Sequence, residues 1–193
     1  MTQQAPSPSE SIEIIKRMIE GSKARLNENG FIYLFWGWLI IVCALAQFVL
    51  LQAELYAYNY YPYFLVIPAG IYTGISEARK HRNSQETYIH KLMAALWIPL
   101  GLNLGIVGFF SVPVLGTSPT PFLLIFLAIG ATVSGGALRF PALIWGGIIC
   151  NLVGFAAFLT PSLYQPLLLA GGITAADLVP GYMLRKKFRM SHG

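Results

Sequence analysis

The chain has 193 residues, of which 55% are hydrophobic and only 11% charged, and its mean hydropathy is +0.60. A soluble domain carries about a quarter charged residues and could not hide so much apolar surface, so a water-soluble fold is excluded. The net charge of +5 is distributed along the chain by position and builds no basic face, which argues against a nucleic-acid partner.

After "MTQQAP", Ser7 reads as an N-cap with Pro8 at the first helical position and Glu10 at the third, a capping box that opens a helix. Ile12, Ile15, Met18, Ile19 and Leu26 form an apolar stripe, with Glu13, Lys16, Arg17, Glu20 and Lys23 off it. This predicts an amphipathic helix over about residues 8–27 of a cytoplasmic tail, 1–30, lying on the membrane surface or packed against loops; docking to a partner is the alternative. Six segments then approach the roughly 20 apolar residues that cross a bilayer. They are 31–52, 61–78, 92–112, 120–138, 140–159 and 163–184, and a basic tail, 185–193, follows. The expected fold is all-α and polytopic, a transmembrane domain of six helices over 31–184 with connections too short for a separate soluble domain.

Lys16, Arg17, Lys23 and Arg25 precede the first span; Arg79, Lys80, Arg82 and Lys91 lie between the second and third. Arg139 separates the fourth and fifth, and Arg185, Lys186, Lys187 and Arg189 follow the sixth. These are all 13 Lys and Arg, and the other three connections carry none. By the positive-inside rule both termini are expected in the cytoplasm of a bacterium, with the protein in the cytoplasmic (inner) membrane. The first span runs on past "ALA" at Ala44–Ala46 to Leu51, longer than a cleaved signal, and reads as a retained anchor. Phe31, Tyr33, Phe35, Trp36 and Trp38 read as its cytoplasmic aromatic border. Cys43 and Cys150 fall within spans and read as reduced packing residues.

An internal pattern relates the odd spans. Trp97 and Trp145 are each followed at the sixth residue by Asn, at the thirteenth by Phe and at the sixteenth by Pro, and Trp36 sits in the same phase of the first span. The simplest arrangement is three helical hairpins of one orientation, with Trp36, Trp97 and Trp145 as interfacial aromatics and Trp38 outside the pattern. Gly101, Gly105 and Gly108, and Gly70 with Gly74, read as sites of close helix packing.

Three polar residues within spans are candidates for a site. Asn103 and Asn151 sit about twelve residues into their helices, roughly 18 Å deep, and read either as an interhelical hydrogen bond or as a midplane binding site. Asp177 is the acid clearly inside a span; it reads as a proton or cation site, or as a carboxylate that reaches water or Arg139. Glu77 with His81 and Glu86 with His90 have helical spacing for a metal, but no further ligand joins them, so no metal or cofactor is expected. The tyrosines of "YAYNYYPYF" read as an aromatic belt, with an outer-face ligand platform as the alternative. "TVSGG" around Ser134 lacks the first Gly of the rhomboid-protease motif, and the sixth span has no His to activate a serine, so the chain reads as a non-enzyme.

The three-hairpin pattern, with an early Trp in each odd span and small residues in each even one, resembles the short-repeat architecture of HdeD-type bacterial membrane proteins. The charged prelude followed by "NGFIYLFWGW" resembles a group of small uncharacterised bacterial six-helix membrane proteins. The first resemblance implies a structural or stress-related role in the envelope, and neither carries site residues over. The expected function is that of a non-enzymatic structural or stress-related membrane component, surrounded by the lipid bilayer and associating with itself or with a membrane partner protein. The alternative is a small-solute transporter, or the substrate-binding subunit of one, with Asn103, Asn151 and Asp177 along the path.

Overall fold

The computed structural model describes residues 8–81 and 88–190, and it is all-helical, with no strand among the described residues. Helix α1 spans Pro8–Gln52, α2 Val66–His81, α3 Tyr88–Phe110, α4 Thr120–Ala137, α5 Pro141–Phe158, α6 Gln165–Ile173 and α7 Val179–Met190. Prolines stand in the first turn of α4, α5 and α6, where a missing N–H removes no helical bond. A π turn, Thr174–Leu178, joins α6 to α7. Pro180 follows it, and its ring, with no N–H to return to Ala176, accounts for the widened turn.

Five helical stretches are long and apolar enough to cross a membrane: Gly30–Gln52, Lys91–Val114, Thr120–Ala137, Pro141–Phe158 and Gln165–Lys186. The expected second span, 61–78, is the exception. Tyr61–Leu65 forms a 3-10 turn and the α-helix begins only at Val66, leaving 16 residues. Pro68 has no N–H to bond Phe64 across that junction, so the α-helix does not extend back through it. A second correction concerns the N-terminus. The prelude over 8–27 and the first span are one 45-residue helix with no break between them. Ser7 lies outside the described residues, as do the side chains of the amphipathic stripe.

The tightest packing is between α4 and α5, and α1 lies against α6, α7 and the π turn between them. The reversal between α4 and α5 takes three residues. The Phe140 N–H bonds the Gly135 carbonyl at 2.9 Å and the Arg139 N–H bonds Gly136 at 3.2 Å, with Arg139 at φ 51°, a Schellman turn made without glycine. Leu124, Ala128, Ala131, Cys150, Leu169, Ile173 and Ala176 fill the bundle centre with at most 1% exposure each.

Glycines set how close the helices come. A Cβ on Gly146 would collide with the Ala175 carbonyl, and one on Gly147 with Thr132 Oγ1; on Gly154 it would stand 3.0 Å from Ile125 Cγ1. The glycines expected to pack stand elsewhere: among the described residues nothing lies within 4 Å of such an atom on Gly74, Gly101, Gly105 or Gly108, and on Gly70 it would meet the Trp36 ring at 3.8 Å. Helix α3 leans chiefly on α4, and none of its apolar window is buried.

These two classes of glycine separate by mutation. Gly146→Ala forces backbone apart and should destabilise the folded chain by about 1–3 kcal/mol. Gly105→Ala should be neutral or slightly stabilising, since Ala is the better helix former by roughly 1 kcal/mol. Thermal unfolding of the purified protein in detergent compares the two, and equal effects would contradict this packing.

Candidate functional site

Asp177 lies in the π turn, 7% exposed. Two glycines allow the turn to sit inside the bundle. On the α5 side Gly146 admits Ala175 and Ala176; on the α1 side a Cβ on Gly37 would stand 3.2 Å from Asp177 Cβ and 2.9 Å from Leu178 Cδ2. One turn before Gly37 on α1 is Tyr33, also 7% exposed. Cys150 on α5 is fully buried and donates from its thiol to the Leu124 carbonyl at 3.5 Å.

Ser134 is fully buried and accepts a hydrogen bond of 3.1 Å from Nε1 of Trp97. The indole only donates, so the serine oxygen is the acceptor of this bond. The ring of Trp97 rests on Gly130, one turn before Ser134, where a Cβ would come within 2.9 Å of it. Trp97 thus pins α3 to α4 by shape and by hydrogen bond. Tyr33 from α1, Ser134 from α4, Cys150 from α5 and Asp177 from the turn before α7 are buried, and Trp97 from α3 is half-buried against them. Among the described residues, no ion pair or hydrogen bond ends on the Asp177 carboxylate. Arg139, at the exposed α4–α5 turn, does not reach it.

Asn103 and Asn151 do not join this group or each other. Asn103 is exposed, and its Nδ2 donates to the Pro99 carbonyl of its own helix at 2.8 Å. Asn151 is half-buried on α5 with no side-chain hydrogen bond among the described residues. Asn103 stands on α3, which leans chiefly on α4, and Asn151 on α5, and among the described residues no hydrogen bond joins the two amides. The four tryptophans also differ: Trp36 is half-buried against Gly70, Trp97 packs on α4, and Trp145 is 65% exposed. Trp38, outside the sequence pattern, donates from Nε1 to the Tyr182 hydroxyl at 3.2 Å, tying α1 to α7. Glu77, His81, Glu86 and His90 have side chains outside the described residues.

A second polar group lies at the opposite end of the bundle. Tyr63 donates to Gln47 Oε1 at 2.9 Å, and the Cys43 thiol to the Pro62 carbonyl at 3.2 Å. Gln165 Nε2 donates to the carbonyls of Ala157 and Thr160, at 3.1 Å each, while its buried Oε1 has no partner. The first two bonds tie α1 to the 3-10 turn before α2, and the two from Gln165 tie the start of α6 to the end of α5.

No protein-family model, curated protein or solved structure matches the chain.

Removing the Ser134 hydroxyl leaves a buried indole N–H unpaired, which costs about 1–3 kcal/mol. Ser134→Ala should therefore lower the thermal midpoint, and much of the loss should be absent when Trp97→Phe is already present. A double-mutant cycle read by thermal unfolding measures the coupling; strict additivity would mean that the bond carries no stability.

Proposed function

We propose that the chain is a non-enzymatic structural component of the bacterial cytoplasmic membrane that works by associating within the bilayer, through α3, with a second copy of itself. The observation that carries this is Asn103. It sits near the middle of the span Lys91–Val114, exposed, among Ile98, Leu102, Ile106 and Phe110, each more than half exposed. An amide turned toward hydrocarbon is costly, and a hydrogen bond to another helix relieves that cost. One Nδ2 hydrogen is spent on Pro99; the other and Oδ1 remain for a neighbour. Two copies related by a two-fold axis offer each other the same residue, so a reciprocal Asn103 pair satisfies both at once. The structural or envelope-stress role that the HdeD-like resemblance implies is compatible with such an assembly.

We further propose six crossings, with both termini cytoplasmic. The 3-10 turn Tyr61–Leu65 adds about 10 Å to the roughly 24 Å of α2, enough together to span. The cation-free connections then share one side and the cation-bearing ones the other. The three-hairpin repeat and the amphipathic character of the prelude belong to the same reading, although the closest packing, α4 on α5, joins two hairpins instead of closing one. A second reading, a small-solute transporter or a transporter's substrate-binding subunit, draws on Asp177, an intramembrane carboxylate without a counter-ion. The filled bundle centre weighs against a solute path through it.

An interhelical hydrogen bond in a membrane contributes about 0.6–2 kcal/mol, so Asn103→Leu should weaken self-association by about 3- to 30-fold while leaving the helices folded. Energy transfer between labelled copies in lipid bilayers at varied protein density measures this. A chain that stays monomeric at every density would remove the proposal.

A further inference from the structure

We propose that the outward face of α2 holds one anionic phospholipid, its phosphodiester on the guanidinium of Arg79 and its acyl chains along the exposed apolar side chains below. The inference rests on α2 lying in the bilayer, as in the six-crossing reading, and not on self-association.

The first ground is the hollow itself. A cavity of about 490 Å³ opens on α2, its described lining made of Tyr72, Ile75, Ser76 and Arg79. These positions recur at the three- and four-residue steps that place side chains on one face of a helix. Toward the start of α2 the same face continues with Ile71 and Pro68, both exposed. Gly70, against which the Trp36 ring of α1 rests, lies on the opposite side of the helix, so the hollow is turned away from Trp36.

The second ground is charge. Arg79 is exposed, and among the described residues no ion pair or hydrogen bond ends on its guanidinium or on the hydroxyls of Ser76 and Tyr72. A guanidinium carries paired N–H donors that match two oxygens of a phosphate. The described lining has no carboxylate, so it offers nothing to the ammonium of a zwitterionic headgroup. A single exposed cation holds a free anion only weakly in water. A lipid is confined to the interface by its chains, so its phosphate is present there at high local concentration.

The third ground is depth. Helix α2 returns along α1 with Gly70 against Trp36. Arg79 stands nine residues past Gly70, roughly 13 Å, whereas Trp36 stands six residues past Gly30, roughly 9 Å, where the α1 span begins. The guanidinium is therefore carried just outside the apolar border, at the level of headgroup phosphates. Ser76, about one turn deeper, brings a hydroxyl to the ester oxygens, and Ile75, Ile71 and the Tyr72 ring meet the chains.

Native mass spectrometry of the full purified chain, released from detergent with added lipid, tests this. A cation near the membrane surface contributes about 5-fold in affinity, so the wild type should retain one phosphatidylglycerol about 5-fold better than phosphatidylcholine. Arg79→Gln should lose that preference, and Arg79→Lys should keep part of it. Lys186→Gln, which removes an exposed cation of α7, should leave it unchanged. The proposal is overturned if Arg79→Gln retains phosphatidylglycerol as the wild type does, or if Lys186→Gln loses as much. Displacement of the lipid by millimolar inorganic phosphate would also overturn it, in favour of a free-anion site. Ile71→Cys in phosphatidylglycerol vesicles separates this site from the reading beneath it. Labelling by a water-soluble maleimide would remove α2 from the bilayer and the site with it. An unlabelled cysteine, with retention unchanged in Arg79→Gln, would remove the lipid site alone.

Discussion

Hydrocarbon outside this bundle is as apolar as the side chains inside it, so its helices are not driven together by exclusion from water. They hold by close contact and by hydrogen bonds that lipid cannot replace. The contact on which the rest depends is that of α5 with its neighbours. Gly146, Gly147 and Gly154 let its backbone touch the π turn before α7 on one side and α4 on the other. A side chain of any size at the first two positions would open the bundle along both seams. Because α4 and α5 are joined by a three-residue Schellman turn, the approach at Gly147 also fixes where Gly135 meets Ile144 and Leu143.

This packing makes the buried carboxyl possible. The π turn can carry Asp177 into the interior only because Gly146 accepts its backbone from α5 and Gly37 accepts Asp177 and Leu178 from α1. Tyr33, one turn nearer the start of the span than Gly37 and on the same helix face, is buried with it, as is Ser134 on α4. The polar group is therefore a product of backbone proximity. Trp97 adds the remaining link, since its N–H ends on Ser134 and its ring on Gly130, so the position of α3 is tied to the hydroxyl chemistry of α4.

The spans were legible because length and hydropathy alone specify them: α4 and α5 lie within a residue or two of their expected ends. The second helix was misread because hydropathy does not register a 3-10 turn set by Pro62 and Pro68. For the site, Asp177 stood out as an acid in an apolar run, but its partners did not. Tyr33 was hidden among five aromatics that composition assigns to the membrane border, and Ser134 was weighed only as a nucleophile. Glycine spacing misled for a related reason. Gly101, Gly105 and Gly108 have the spacing of a packing seam but no neighbour, while Gly146 and Gly147, adjacent in sequence, face two different helices. Periodicity describes one helix's surface and carries no information about which surface is covered.

The molecule therefore divides into a sealed part and an open part. Helices α1, α4, α5 and α6 with α7 pack around the buried Tyr33, Ser134 and Asp177, whereas α3 turns an amide and a row of large apolar side chains outward. Trp97 is where the two meet: it faces Ser134 inside, and Asn103 lies six residues further along the same helix. Helix α3 is held to α4 by Trp97, whose N–H ends on Ser134 and whose ring rests on Gly130, and to the 3-10 turn before α2 by Phe109, whose ring lies 5.9 Å from that of Phe64. An association at the outer face of α3 and the buried Ser134 hydroxyl therefore share a link through Trp97, because the same helix that carries Asn103 outward carries the indole inward.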